Sequence, residues 1–176
     1  MCNVVVLDPR VKGLFLMDNA KKIAKARLAL DRGDISEASQ LLAPLVTGAD
    51  PEALFLASTF SAVDGESDEQ FEERSLRFLK KSAELGYAPA LYALGVCYDI
   101  GDLVGKDELK AGYFFECAAK LGYPKAKFEH GRNLFYGSHG LDKKSLLGWQ
   151  LVQDAANEHV EDAKEFIRNF APPQRT

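Results

Sequence analysis

Between residues 75 and 142 the chain writes one pattern twice. Shifted against itself by 36 positions, it sets Ala83 on Ala119, Gly86 on Gly122, Ala90 on Ala126, Gly95 on Gly131 and Gly101 on Gly137. Five small residues meeting at a single offset mark an internal repeat. A unit of this length cannot bury its own apolar face, so it must stack on a neighbour, and the expected outcome is a solenoid.

Weaker copies flank the pair. With a shift of 37, Ala38 falls on Ser75, Leu41 on Phe78, Val46 on Ala83 and Ala53 on Ala90. The same shift downstream places Leu151 on Phe114, Ala155 and Ala156 on Ala118 and Ala119, and Ala163 on Ala126, while His159 stands where Gly122 did. End units of a stack have one face toward water and are expected to be atypical. The reading is therefore all-α, with four helix pairs at about residues 34–64, 67–101, 106–137 and 143–170. Residues 18–170 form one helical repeat domain, preceded by an extension, 1–17, and followed by a disordered tail, 171–176.

Local signals agree with the repeats. Residues 18–32 carry helical spacing and stop at Gly33. Asp34 with Glu37, and Ser67 with Gln70, have the capping-box interval, and Asp50 precedes Pro51 as an N-cap precedes a first-turn proline. The second helix of the first unit is predicted to reach Val63, and Val4–Leu7 could pair as a short strand or lie across the first helices. Ala83, Ala119 and Ala156 are expected where the first helix of a pair crosses the second, opposite Ala90, Ala126 and Ala163, so that the backbones come close. Phe78, Phe114 and Leu151 would fill the space between units.

Composition narrows the function classes. A formal net charge of -4 offers no basic footprint for phosphates, so nucleic acid is not an expected partner. No stretch approaches the roughly 20 apolar residues of a membrane span. The start of the chain lacks the charged lead and long apolar run of a signal peptide, which makes a cytoplasmic location the default. Cys2, Cys97 and Cys117 are odd in number and lack CxxC spacing, so a disulfide framework and a structural zinc site are not expected. Cys97 and Cys117 read as buried free thiols.

Catalytic signals are thin. The stretch from Gly101 to Asp107 is one residue short of a phosphate loop, with Asp where Ser or Thr should hold magnesium; Asp107 reads as a helix cap instead. His130, His139 and His159 lack the spacing of a helical metal pair, and His130, at a leucine position, reads as a hydrogen-bonded core histidine. Cys117 beside Ala118 and Ala119 lacks the electropositive, open setting of a nucleophile. No cofactor or metal is expected.

The pattern Ala-x-x-aromatic-x-x-x-Ala-Ala-x-x-Gly-x-x-x-Ala-x-x-x-Leu-Gly-x-x-Tyr-x-x-Gly resembles the Sel-1-like repeat, a longer relative of the tetratricopeptide repeat. The second unit carries it as Ser75, Phe78, Ser82, Ala83, Gly86, Ala90, Leu94, Gly95, Tyr98 and Gly101; the third as Ala111, Phe114, Ala118, Ala119, Gly122, Ala126, His130, Gly131, Leu134 and Gly137. Paired cysteines of the family's cysteine-rich branch are missing. The resemblance implies a right-handed superhelix whose concave face, lined by first helices, holds a protein or peptide partner. It implies an adaptor or scaffold without catalysis, with a bacterial inhibitor or toxin-immunity protein as the alternative and an enzyme with an unrecognised site as another. On that register Arg77, Lys81 and Glu84, then Tyr113, Glu116 and Lys120, then Trp149, Gln150 and Gln153 point away from the crossings and are the candidate partner-binding residues. Tyr113 and Trp149 lead them, since aromatic side chains supply much of interface energy. The competing reading makes the charges a solvated face and Trp149 a seal on the end of the stack.

Overall fold

The computed structural model describes residues 9–61 and 65–173, with side chains from residue 17 onward. Among these residues there are nine helices and no strand. Contacts divide the chain into two compact units, Met1–Ser75 and Leu76–Thr176.

The first unit opens with α1, Pro9–Asp31. It starts inside the segment expected to be an extension, with a proline in its first turn, where the missing N–H is no loss. The strand alternative at Val4–Leu7 lies outside the described residues. Gly33 closes the helix at a φ of 76°, where a side chain would be strained. Then follow α2, Ile35–Thr47, and α3, Pro51–Ala57. Asp34 accepts from the Glu37 N–H at 2.9 Å, and Asp50 accepts from the Glu52 and Ala53 N–H groups at 3.1 and 3.0 Å. Both caps satisfy orphan first-turn donors as the spacing required. Ile23, Ala26, Leu42, Leu45, Ala53 and Leu56 make the core.

The helix α3 stops six residues before the expected Val63. Ser58 and Thr59 turn their hydroxyls back onto the Phe55 and Leu56 carbonyls at 2.6 and 2.7 Å, which competes with further helix. Arg74, on α4 (Asp68–Glu84), donates to the Ala57 and Phe60 carbonyls, both at 3.0 Å. The same guanidinium grips Glu66 with two bonds, 2.7 and 3.0 Å. That grip, helped by the Ser61 hydroxyl, holds the Glu66 carboxyl down at about 2. At the start of α4, Ser67 and Gln70 exchange both bonds of a capping box, at 3.1 and 3.3 Å.

The second unit takes the rest of α4 and then α5, Ala88–Ile100; α6, Glu108–Lys120; α7, Pro124–Tyr136; α8, Ser145–Asn157; and α9, Glu161–Asn169. One turn recurs within every helix pair. In the first unit Asp50 N–H reaches the Leu45 carbonyl at 2.9 Å. In the second, Tyr87 reaches Ser82 at 3.2 Å, Tyr123 reaches Ala118 at 3.1 Å and Val160 reaches Ala155 at 3.1 Å. Each is the six-to-one bond of a Schellman ending, whose preceding residue must be left-handed. Glycine supplies that residue at Gly86 and Gly122; Ala49 and His159 hold it at φ 56° and 66°. His159 thus keeps the geometry of the glycine it replaces.

The alanine register needs a one-residue correction. Ser82, Ala118 and Ala155 are fully buried, whereas Ala119 and Ala156 are half-buried; of the three expected positions Ala83 alone stays in the core, at 7%. The carbonyls of Ser82, Ala118 and Ala155 receive the six-to-one bonds, so the turn folds over these residues rather than their successors. On the second helices Ala90, Ala126 and Ala163 are fully buried, as expected.

The tightest backbone approach lies between successive pairs. A Cβ on Gly131 would stand 2.8 Å from the Gly148 carbonyl oxygen, and one on Gly95 would stand 2.6 Å from the Phe115 ring. Glycine lets α7 lie against α8 there. Around that contact Phe128, Trp149, Val152, Ala155, Ala163 and Phe166 form the core of the C-terminal end.

Candidate functional site

The helices α4, α5 and α6 enclose a depression of about 400 Å³ within the second unit. Its floor is apolar: Leu91 and Leu94 from α5, and the Tyr98 and Phe114 rings, stacked with centroids 5.6 Å apart and planes 5° from parallel. Tyr113 stands edge-on to Phe114 at 5.4 Å and remains 61% exposed, so an aromatic face at the rim is open to solvent. The neighbouring Cys117 thiol one turn on raises the phenol above its usual pKa. Lys80 and Glu84 complete the rim. Lys110 lies 5.2 Å over the Tyr98 ring and pairs with Asp107 at 3.0 Å.

The structure separates the nine expected partner-binding residues. Glu84 and Tyr113 share this depression. Arg77 is exposed and does not line it; its guanidinium lies 5.5 Å over Phe78. Lys81 pairs with Glu84 at 3.3 Å. Glu116 and Lys120 pair across one turn at 2.6 Å, which lowers the carboxyl pKa and raises the ammonium. Gln150 and Gln153 are exposed and, with Trp149, line a different depression, of about 800 Å³, that also touches Pro172 and Pro173.

Trp149 reaches that depression from the core rather than from an open face. It is only 7% exposed and packs among Phe135, Phe166 and Val152. The repeat offset held this information: at a shift of 37, Trp149 falls on buried Gly112, and the equivalents of Tyr113 are Arg77 and Gln150. All three of those are exposed. The same register makes Lys80 the counterpart of Glu116 and Gln153, and Lys80 was missed. Leu91, Leu94 and Tyr98 were missed as site residues because binding was sought on first helices alone.

Other polar groups stay structural. Asp99 Oδ1 meets His139 Nε2 at 2.8 Å, His139 Nδ1 faces the Ser138 hydroxyl at 3.2 Å, and that hydroxyl donates to Asn133 Oδ1 at 3.2 Å. The chain ties the loop after α7 to α5. It needs Gly112, where a Cβ would come within 2.7 Å of the His139 carbonyl oxygen. His130 is half-buried, which depresses its pKa, and its Nδ1 has no hydrogen-bond partner among the described residues, unlike the bonded core histidine expected. Cys97 is buried, which raises its thiol pKa, but Cys117 is only partly so. No helix among the described residues is long and apolar enough to cross a membrane.

Comparison with known proteins fixes the family. The Sel1 repeat model matches residues 69–87 and 88–123, which run through the helices that build the depression. A Sel1 repeat protein from Oxalobacter formigenes, known as a crystal structure, is 30% identical over 73% of this chain and 96% of its own, with a TM-score of 0.65. The chain belongs to the Sel1 repeat family. Two further crystal or solved structures share the fold. The protective antigen c5321 of uropathogenic Escherichia coli, described as having an SLR fold, is 18% identical over 88% of this chain and 34% of its own, with a TM-score of 0.66. Helicobacter pylori cysteine rich protein B is 23% identical over 72% and 94%, with a TM-score of 0.53. A search of curated proteins returns no match. This Sel1 repeat chain is therefore an all-α helical-repeat solenoid, a scaffold of the kind that mediates contacts between proteins.

Proposed function

We propose that this Sel1 repeat protein is a non-catalytic adaptor that binds a protein or peptide partner through the depression between α4, α5 and α6. The observation that carries this reading is Tyr113. An aromatic ring 61% exposed at the rim of an apolar cleft presents a side chain that gains from burial against a partner. Its neighbours Tyr98 and Phe114 are held by stacking, so the cleft is preformed and little ordering accompanies binding. An inhibitor or immunity protein would use the same surface against a single tight partner.

Affinity capture from the native lysate, with wild type beside Tyr113→Ala, tests the proposal. The variant removes an exposed ring and leaves the core intact, so it should fold and lose the partners that wild type retains. Identical partner sets for both proteins would refute the assignment of the surface.

A further inference from the structure

We infer that His130 is a specificity-determining residue of the binding surface, placed to hydrogen-bond a hydroxyl or carboxamide of the partner one repeat beyond the apolar depression. This inference rests on the partner-binding reading above and adds a second contact to it. His130 is the exception among the polar groups already described: its Nδ1 is buried and has no hydrogen-bond partner among the described residues. Such a nitrogen has given up water and gained nothing from the protein, so it costs stability that an apolar side chain would not. The repeat shows that apolar side chain one unit earlier. At the offset of 36 His130 falls on Leu94, which is buried on the floor of the depression. A histidine where the preceding unit uses leucine, left unpaired by the fold, is a local sacrifice of the kind made at binding sites.

Its surroundings decide what it can receive. The same offset carries the rim residues Lys80 and Glu84 onto Glu116 and Lys120, with the signs exchanged, and both act electrostatically on His130. They pair with each other at 2.6 Å, so their charges offset one another beside the ring. Lys144, which also acts on Glu116, is exposed, where salt screens it. Burial lowers the imidazole pKa, so the ring is neutral at pH 7. A neutral imidazole has one donor and one acceptor nitrogen, and a hydroxyl or a carboxamide answers either. A carboxylate answers only the donor, and an ammonium only the acceptor. The side chain as a whole is half-buried, and a half-turn of the ring exchanges Nδ1 with Cδ2, which turns the nitrogen toward a partner at the open edge. The helix α6 carries Tyr113 on the depression and Glu116 and Lys120 beside His130, so one extended segment can reach both places. Packed helices lie about 8–10 Å apart, a span of about three extended residues.

The probes are fluorescein-labelled peptides containing Trp-Gly-Gly-Xaa or Xaa-Gly-Gly-Trp, with Gln, Leu, Glu or Lys as Xaa. Anisotropy reads affinity, and the ring nitrogen resonances of His130 in the full chain read contact. In one orientation the Gln peptide should bind about three- to tenfold tighter than its Leu counterpart and shift those resonances. In His130→Leu the order should reverse, while the urea midpoint stays level or rises. A clear fall in that midpoint would make His130 a structural residue and overturn the inference. Tightest binding of the Glu or Lys peptide would overturn it too, as would a Gln preference that survives His130→Leu. Wild type alone also decides, because the absence of a Gln preference in both orientations refutes the assignment. If no peptide shifts the His130 resonances while capture of native partners still depends on Tyr113, the inference fails and the adaptor reading survives. If capture is independent of Tyr113, the adaptor reading fails by itself.

Discussion

Replacing Gly131 by alanine should destabilise the protein, although alanine is the better helix former. The new methyl would stand 2.8 Å from the Gly148 carbonyl oxygen, 2.9 Å from Leu151 Cβ and 3.1 Å from the Val152 nitrogen. Two of these are backbone atoms of α8 and the third is fixed to it, so no flexible side-chain end can move aside. Overpacking of this kind costs about 1–3 kcal/mol. The helix-propensity gain of roughly 0.5–1 kcal/mol acts the other way, leaving a net loss of about 1–2 kcal/mol. With a urea slope of about 1–3 kcal/mol per molar, the denaturation midpoint should fall by around 0.5–1 M. Gly105→Ala is the control: a Cβ there meets nothing within 4 Å, and the midpoint should barely change. A raised midpoint for Gly131→Ala would refute the close approach of α7 and α8.

Three more outcomes follow from the same coordinates. Ala118→Leu should cost about 1–3 kcal/mol while Ala119→Leu costs clearly less, because only Ala118 is sealed by the turn; equal losses in urea titrations would restore the original register. His159→Gly removes a side chain from a left-handed position, a relief of about 1–2 kcal/mol, against about 0.4–1 kcal/mol of added unfolded-state freedom. The melting temperature should therefore rise by up to a few degrees, and a fall would mean that His159 makes contacts worth more than the strain. Glu66 has its pKa depressed from 4.5 to about 2, so its stabilising effect is complete above pH 4.5 and is lost as pH falls toward 2. Arg74→Ala should flatten that part of a stability-against-pH curve, and an unchanged acid limb would remove the Arg74–Glu66 pair as its cause.

What could be read from the sequence was whatever acts over a few residues or repeats at a fixed offset. Asp34, Asp50, Ser67 and Asp107 all cap as their spacing indicated, since a cap joins groups two or three residues apart. The end of α3 was not legible because Arg74 reaches back 17 residues to the Ala57 carbonyl, a distance no local rule spans. The candidate residues divided between two depressions for a different reason. Choosing side chains by chemistry favoured Trp149, whereas the offset itself pairs it with buried Gly112. Lys80, Tyr98 and Leu94 escaped because a cleft is made by three helices meeting, and a face-by-face reading treats each helix alone.

The joints between pairs carry one more implication. After α5 the Asp107 N–H closes onto the Tyr98 carbonyl at 2.8 Å, and after α7 the Lys144 N–H closes onto Leu134 at the same 2.8 Å, although the second loop is one residue longer. Side chains reinforce the seam: the Ser145 hydroxyl donates to the Phe135 carbonyl at 3.1 Å, and Asp99 of α5 meets His139 in the loop after α7 at 2.8 Å. Loss of the block α6–α7 would keep the backbone closure but leave Asp99 without His139, so the block is not fully self-contained. The two closures thus give successive pairs the same backbone joint while their loops differ in length, so a one-residue insertion in such a loop should leave the joint intact.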